Sequence, residues 1–308
     1  MLDQTQDDDD YILEIIAGVK ERQANKRHRA TRGEMRKRAD FLIEYASEHG
    51  PVTVRQLYYQ AVVAGLVEKD ESGYLKVQRQ VLDLRREERL DYSYIADATR
   101  WMRKPTTYGS IEEALSNTAQ FYRKALWQET GEVAEVWCEK DALAGVIYPI
   151  TDLYDVPLMV ARGYASETFC YEAIAARGDD VRPYHVYYLG DFDRSGRDAA
   201  NSLHEKLVRF SEPKGIEVHF AQLAVTLSQI DRLDLPLREP KRESAADKKW
   251  EFNFACELDA LPPDETRRIV QEALERHLPV GQLTHLRIAE ESERQLLSAF
   301  TRQFQSDQ

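Results

Sequence analysis

The chain has 308 residues, of which 43% are hydrophobic and 31% are charged. This length allows a buried core in about two domains, and the composition excludes a disordered or fibrous protein. The absence of a run of about 18 apolar residues excludes a membrane-spanning helix, and the acidic start MLDQTQDDDD is unlike a secretory signal. Three cysteines that are far apart and lack CxxC spacing argue against both a disulfide framework and a zinc site. The sequence therefore predicts a cytoplasmic protein without membrane association.

Charge is distributed unevenly along the chain. The net charge of -12 argues against a nucleic-acid partner, but residues 20–38 and 84–104 are rich in arginine and lysine. A local basic face, not the total charge, decides whether phosphates are attracted. The alternative is that both stretches are solvated helix faces, so the charge pattern leaves DNA binding open.

The first third of the chain has a helical pattern. Three short helices and a β-prone piece, YSYIAD (92–97), predict a winged helix-turn-helix, with a small helical bundle as the alternative. We divide the chain into an acidic tail with a basic helix (1–33), the winged-helix domain (34–107), a helical connector (108–130), a sheet domain (131–232) and a C-terminal loop with two charged helices (233–308).

The pattern changes after residue 130. Near-continuous apolar strands alternate with helices of 10 to 15 residues, which predicts a parallel sheet covered by helices on both faces. The predicted fold class is α/β, with an N-terminal helical domain and a helical C-terminal extension.

Acidic residues follow two of the predicted strands. Glu139 follows the first strand of the sheet domain, and Asp191 and Asp193 follow the third. Ligands bind beyond the carboxyl ends of strands in an open parallel sheet, and clustered carboxylates without His or Cys suit Mg²⁺. Gly196 leaves room for a phosphate or a backbone to approach. Two alternatives stay open: Asp193 caps the next helix, or Asp191 is a nucleophile as in haloacid dehalogenases, whose DxD normally follows the first strand.

These motifs resemble the Toprim domain, whose pattern is a glutamate after the first strand and DxD after a later one. EKDAL (139–143) and GYAS (163–166) look closest to the A subunit of DNA topoisomerase VI and its meiotic double-strand-break relatives. That family also carries an N-terminal winged helix with a tyrosine nucleophile, which TVRQLYYQ (53–60) resembles. The resemblance extends over most of residues 34–230 in the same domain order.

The resemblance implies a DNA-cleaving transesterase. Tyr59 would be the nucleophile that forms a 5′-phosphotyrosyl link, Arg55 its partner, and Mg²⁺ at Glu139, Asp191 and Asp193 the electrostatic catalyst. It further implies a double-stranded DNA substrate, a nucleoid-associated homodimer in which one protomer's tyrosine serves the other's acids, and a separate ATPase subunit of the B type. The arginines expected to contact DNA are Arg27, Arg29, Arg32, Arg85, Arg86, Arg100 and Arg103.

The spacing of Arg55 and Tyr59 agrees with a joint role. Residues four apart share a helix face, and a guanidinium beside a phenol, whose pKa is near 10, favours the phenolate. Tyr58 is expected to pack in the core, and Tyr59 itself could be a core tyrosine. Two further function classes therefore stay open: a Toprim nuclease that uses metal-activated water, and a DNA-binding protein without catalysis.

Four other residues are interpreted as structural, without a role in catalysis or metal binding. Glu257 is interpreted as a carboxylate on a surface helix in preference to an added metal ligand. His185, His204 and His219 are interpreted as core or surface histidines, because none of them has the spacing of metal ligands.

Overall fold

The computed structural model describes residues 31–96, 105–242 and 247–306. The calls on Arg27, Arg29, Arg100 and Arg103 lie outside the described residues. Four strands form within these ranges: β1 (Val133–Cys138), β2 (Leu158–Val160), β3 (Tyr184–Leu189) and β4 (Val218–Ala224). The ten α-helices within the same ranges are α1 (Arg32–His49), α2 (Val54–Val63), α3 (Glu71–Arg86), α4 (Ile111–Phe121), α5 (Ala144–Leu153), α6 (Glu167–Ala175), α7 (Arg194–Ser211), α8 (Leu227–Leu233), α9 (Pro263–Glu275) and α10 (Gln282–Ser306).

The strands form a parallel sheet in the order β2-β1-β3-β4, so the predicted α/β class is confirmed. The apolar runs of β1 and β3 are explained by burial on both faces, because successive side chains point to opposite sides. Val136 and Leu189 join one hydrophobic cluster together with residues of α5 and α9. Trp137 and Tyr188 join a second cluster together with residues of α6 and α7. The sheet is thus the middle layer of three.

Helices α1 to α3 form the N-terminal unit. Thr31 and Thr53 begin α1 and α2 with capping boxes, in which a threonine side chain and a glutamate or glutamine satisfy free backbone N–H groups. Leu57 of α2 lies in the same hydrophobic cluster as Val136 of β1. The N-terminal helices and the sheet therefore share a continuous core.

The predicted wing is not confirmed. Residues Tyr92–Tyr94 form a 3-10 turn, and Ile95 makes an isolated parallel bridge with Val52. The reason is local: the Asp91 side chain accepts hydrogen bonds from the backbone N–H and the hydroxyl of Ser93, which favours a turn over an extended strand.

The described part of the C-terminal region (233–308) contains α9 and α10, the two helices predicted there. The short α8, which was not predicted, begins before this region at the capping box of Thr226. Helix α10 packs against α4. No helix in the described ranges combines the length and the apolar character needed to cross a bilayer.

A buried glutamate fixes α10 to the connector. Glu290 is 2% exposed; it accepts hydrogen bonds from the backbone of Lys124, from Arg287 and from Arg294. Substitution Glu290→Ala is expected to lower the free energy of unfolding by about 2–3 kcal/mol, because the hydrogen bonds of a charged group are lost together. Urea denaturation measures this loss, with Glu291→Ala on the exposed face of α10 as the control; equal losses in both variants would contradict the anchoring role.

Candidate active site

Two of the predicted metal ligands meet at the carboxyl edge of the sheet. Strands β1 and β3 are neighbours in parallel register, with Cys138 beside Leu189, so the residues that follow them emerge side by side. The backbone N–H of Asp191 donates to Oε2 of Glu139 at 2.9 Å. The structure thus brings Glu139 and Asp191 together across 52 residues of sequence.

Two glycines make this close approach sterically feasible. A side chain at Gly190 would place its Cβ 2.8 Å from Oε2 of Glu139 and 2.5 Å from the ring of Tyr188. At Gly196, in the first turn of α7, a Cβ would lie 2.3 Å from the backbone oxygen of Asp191. The interpretation of Gly196 as a position of close approach agrees with this, since a residue with a side chain would push α7 away from the edge.

The two carboxylates are half-buried, and their negative charges repel each other. Burial raises the pKa of Glu139, and the negative charge of Asp191 raises it further. Burial also raises the pKa of Asp191, while Lys140 and the backbone N–H of Leu258 act in the opposite direction. A pair of oxygen ligands whose charged forms are disfavoured suits a hard cation such as Mg²⁺, which is typically held by one or two carboxylates and retains waters.

The raised pKa of Glu139 predicts a pH-dependent stability. Over the pH range between the unfolded and the folded pKa, the folded state holds a proton that the unfolded state has lost, so stability falls as pH rises. We expect Glu139→Gln, which can still accept the N–H of Asp191, to be more stable than the wild type above that range and equal to it in acid. Thermal unfolding without divalent ions, with the exposed Glu129→Gln as control, measures this; a gain independent of pH would contradict it.

Asp193 is engaged elsewhere. It is the N-cap of α7, where its Oδ1 accepts from the backbone N–H of Gly196 at 2.7 Å, and its Oδ2 accepts from Arg238 at 2.5 Å. The alternative that Asp193 caps the next helix is therefore correct for Oδ1, whereas Oδ2 pairs with Arg238. The structure brings together two of the three predicted ligands and ties the third to a helix terminus and an arginine.

A lysine and two further acids complete the edge; the sequence pattern assigned no role to Lys140 or Asp259 and left Glu257 only as the less favoured alternative of an added metal ligand. The Nζ of Lys140 lies 2.8 Å from Asp191, 2.7 Å from Asp259 and 3.6 Å from Glu257. The acids arrive on the segment after an antiparallel bridge between Phe192 and Cys256. Lys140 is half-buried among these carboxylates. Desolvation lowers its pKa, but the negative charges of the surrounding carboxylates outweigh this effect and raise it.

The interpretation of Glu257 as a surface helix carboxylate is wrong. Its side chain is 13% exposed. The residue immediately precedes the 3-10 turn Leu258–Ala260 and does not lie on a helix. It lies 2.7 Å from Arg55 and 3.5 Å from Arg238, and these cations together with Lys140 lower its pKa despite burial. The sequence signal that could have indicated it is the alternation of acids and apolar residues in ACELDAL, since an acid inside an apolar run needs a partner.

Helix α2 carries Arg55 and Tyr59 to this edge. The Glu257 carboxylate accepts from Arg55, and Nε2 of Gln56 donates to the backbone oxygen of Leu261 at 3.5 Å. Tyr59 is 3% exposed, and the charges of Glu257, Lys140 and Asp259 act on its hydroxyl. We call the carboxylates Glu139, Asp191, Glu257 and Asp259 at the carboxyl ends of β1 and β3 the acidic edge. Tyr59 is therefore coupled electrostatically to the acidic edge of its own chain through Glu257 and Asp259.

The phenolate expected at Tyr59 is not favoured in this state. Burial and the charge of Glu257 raise its pKa, outweighing Arg55 and Lys140, which lower it. Arg55 lowers the pKa of Tyr59 less than the spacing of the two residues suggested, because its guanidinium is paired with Glu257. Tyr58 is buried, as expected, and its hydroxyl donates to the backbone oxygen of Asp70 at 3.2 Å.

Three of the arginines predicted to contact DNA lie in the described ranges. Arg32 begins α1 and is exposed, as is Arg86 at the end of α3. Arg85 is half-buried, with its guanidinium 4.1 Å from the ring centroid of Tyr92. Their contact with DNA stays a prediction.

His185 lies in a cluster of ionisable side chains that its spacing in the sequence did not indicate. Its Nε2 lies 2.7 Å from Oε2 of Glu132, beside a second histidine, His277, that is distant in sequence. His219 stacks on His185, and His204 stacks on Phe220. The cluster lies at the start of β1 and β3, opposite the acidic edge.

A scan against protein-family models found no match to this chain, and no curated protein matches it. The Toprim resemblance therefore rests on the motifs and on the placement of their residues.

Proposed function

We propose that this protein is a Mg²⁺-dependent DNA-cleaving protein of the topoisomerase VI A type, in which Tyr59 attacks a DNA phosphodiester. The observation that supports this most is the packing of α2 against the acidic edge: Glu257 joins Arg55 to the segment that also contacts Asp191 and Lys140. The two motifs of the resemblance, far apart in sequence, thus adjoin in space.

In this proposal Glu139 and Asp191 hold the divalent ion. When bound, Mg²⁺ supplies stabilisation of the negative charge that develops on the phosphate and on the leaving oxygen. Asp193 stays a helix cap and orients Arg238. Lys140 keeps its contact with Asp259 and neutralises the remaining acids.

The chemistry balances as a transesterification. The Tyr59 oxygen forms a bond to phosphorus, the bond from phosphorus to the 3′ oxygen breaks, and the product carries a 5′-phosphotyrosyl link and a free 3′ hydroxyl. Tyr59 loses its proton and the leaving oxygen gains one. Because Tyr59 is buried with a raised pKa, engagement of DNA has to open α2 enough to expose the hydroxyl.

The proposed assembly is a homodimer on double-stranded DNA in the nucleoid. The resemblance implies that each tyrosine serves the partner's acids, whereas the negative charges that act on the Tyr59 hydroxyl here are those of Glu257 and Asp259 in its own chain. We therefore propose that one chain supplies both parts and that two copies cleave the two strands. The B-type ATPase subunit that the resemblance implies would drive strand passage.

A metal-dependent nuclease is the second candidate. The observation that favours it is the burial and raised pKa of Tyr59, which disfavour a tyrosine nucleophile. In this case Glu139 and Asp191 would hold an ion that activates water, and Tyr59 would be a core residue.

Plasmid cleavage tests the proposal. Supercoiled DNA is incubated with the full chain and Mg²⁺, the reaction is stopped with sodium dodecyl sulfate, and half of each sample is treated with protease. We expect nicked and linear DNA that remains attached to protein until protease is added, and loss of both with EDTA or in Asp191→Asn. Cleaved DNA free of protein would support the nuclease, and binding without cleavage would contradict both enzymes.

A further inference from the structure

A second cluster of ionisable side chains lies at the opposite edge of the sheet from the acids. Among the residues that the structure describes, one set of three His, Cys, Asp or Glu side chains has all its ligand atoms within 4.8 Å of one another: Glu132, His185 and His277. Glu132 precedes β1 and Glu139 follows it, so the two sites are separated by the six residues of β1, or about 20 Å.

The three side chains converge through their donor atoms. Oε2 of Glu132 lies 2.7 Å from Nε2 of His185, and Oε1 lies 2.5 Å from Nδ1 of His277. The two imidazole rings are 4.4 Å apart at their centroids. Each carboxylate oxygen thus lies at hydrogen-bond distance from one ring nitrogen, and a bound cation would replace the protons shared in these contacts.

The three side chains are shielded from solvent and held in place by their neighbours, as the ligands of a metal ion usually are. The side chain of His277 is 6% exposed and that of His185 is 19% exposed, whereas Glu132 reaches solvent at 34%. The second ring nitrogen of His277 contacts the Tyr187 hydroxyl at 2.5 Å, which fixes the ring as outer partners of metal-bound histidines do. His219 stacks on His185 with its ring centroid 4.6 Å away and limits that ring's rotation.

The donor set selects the class of ion. Two imidazoles and one carboxylate suit Zn²⁺ and related transition-metal ions, while Mg²⁺ prefers oxygen alone. Ligand atoms around a tetrahedral Zn²⁺ are separated by about 3.3 Å. The two distances between the Glu132 oxygens and the histidine nitrogens therefore need to increase by less than about 1 Å. The exposed side of Glu132 leaves the fourth position to water.

We propose that Glu132, His185 and His277 form a Zn²⁺ site that fastens the end of α9 to the starts of β1 and β3. His277 follows α9, which also packs against α5 beneath the sheet. The ion would thus link the C-terminal region to the sheet domain and would be independent of the chemistry at the acidic edge.

Metal binding by the full chain tests this. The protein is stripped with a chelator, and Co²⁺ is titrated in while its visible absorption is recorded, followed by displacement with Zn²⁺. We expect one equivalent with the intense bands of tetrahedral coordination, binding at least 100-fold weaker in Glu132→Gln and His277→Ala, and about 10-fold weaker in Tyr187→Phe.

Three comparisons make the result decisive. His204→Ala removes a histidine outside the cluster, and Asp191→Asn alters the acidic edge; both should keep the wild-type spectrum and affinity. Circular dichroism of each metal-free variant checks folding, and Glu132→Gln preserves the shape of the cluster if His277→Ala does not fold. Absence of the tetrahedral spectrum in the wild type, or its persistence in folded Glu132→Gln, would overturn the proposal.

Discussion

Replacement of Tyr59 by phenylalanine is expected to abolish covalent attachment of the protein to DNA and to reduce Mg²⁺-dependent cleavage by about 1,000-fold or more. Phenylalanine keeps the buried ring, which is packed 5.2 Å from Tyr58 between centroids, but lacks the oxygen that would bond to phosphorus. The measurement is transfer of labelled DNA to the protein after denaturation with detergent.

Tyr58→Phe is the matched control. The two tyrosines are adjacent and both buried, and the change at Tyr58 removes a single hydrogen bond to Asp70. Loss of that bond costs about 1 kcal/mol of stability and leaves the chemistry intact. If both variants cleave DNA as the wild type does, Tyr59 is a core residue and the nuclease account takes precedence; if both lose attachment equally, the effect is structural.

Replacement of Lys140 by alanine is expected to lower the free energy of unfolding by about 3–5 kcal/mol in the absence of divalent ions. The substitution removes the cation that lies within 2.8 Å of Asp191 and 2.7 Å of Asp259. Asp259 is 2% exposed, so its charge would be left buried without that partner. Urea denaturation at neutral pH measures the loss.

Lys124→Ala is the control for Lys140→Ala, because Lys124 also pairs with a carboxylate, Glu293, but at a half-exposed position. Exposed pairs contribute at most about 1 kcal/mol. Mg²⁺ is expected to restore part of the stability of Lys140→Ala, since a cation at Asp191 replaces some of the missing positive charge. Equal losses in both variants, or no response to Mg²⁺, would contradict the arrangement of charges described here.

The sequence predicted the sheet and the meeting of Glu139 with Asp191 for a definite reason. Continuous apolar strands require burial on both faces, and parallel strands end at the same edge, so acids after two neighbouring strands must converge. The helix that carries Arg55 and Tyr59 was predictable from its cap and its apolar spacing. These features depend on local pattern and on one rule of topology.

The partners of these residues could not be predicted in the same way. Lys140 contacts Asp259 over 119 residues of sequence, and His277 contacts Glu132 over 145. Such pairs are set by how the C-terminal region folds back on the sheet, which no local periodicity encodes. The raised pKa of Tyr59 follows from the same packing, because burial and Glu257 outweigh the arginine one turn away.

Binding of Mn²⁺ shows whether Glu139 and Asp191 hold a divalent ion, because Mn²⁺ accepts the oxygen ligands that suit Mg²⁺ and is visible by electron paramagnetic resonance. The ion is titrated into the full chain with a DNA duplex present, comparing the wild type with the double variant Glu139→Gln/Asp191→Asn and with the exposed Asp152→Asn. We expect a site from which Mg²⁺ displaces Mn²⁺ in the wild type and in Asp152→Asn, and its loss in the double variant. Equal binding by all three proteins would contradict an ion held by Glu139 and Asp191.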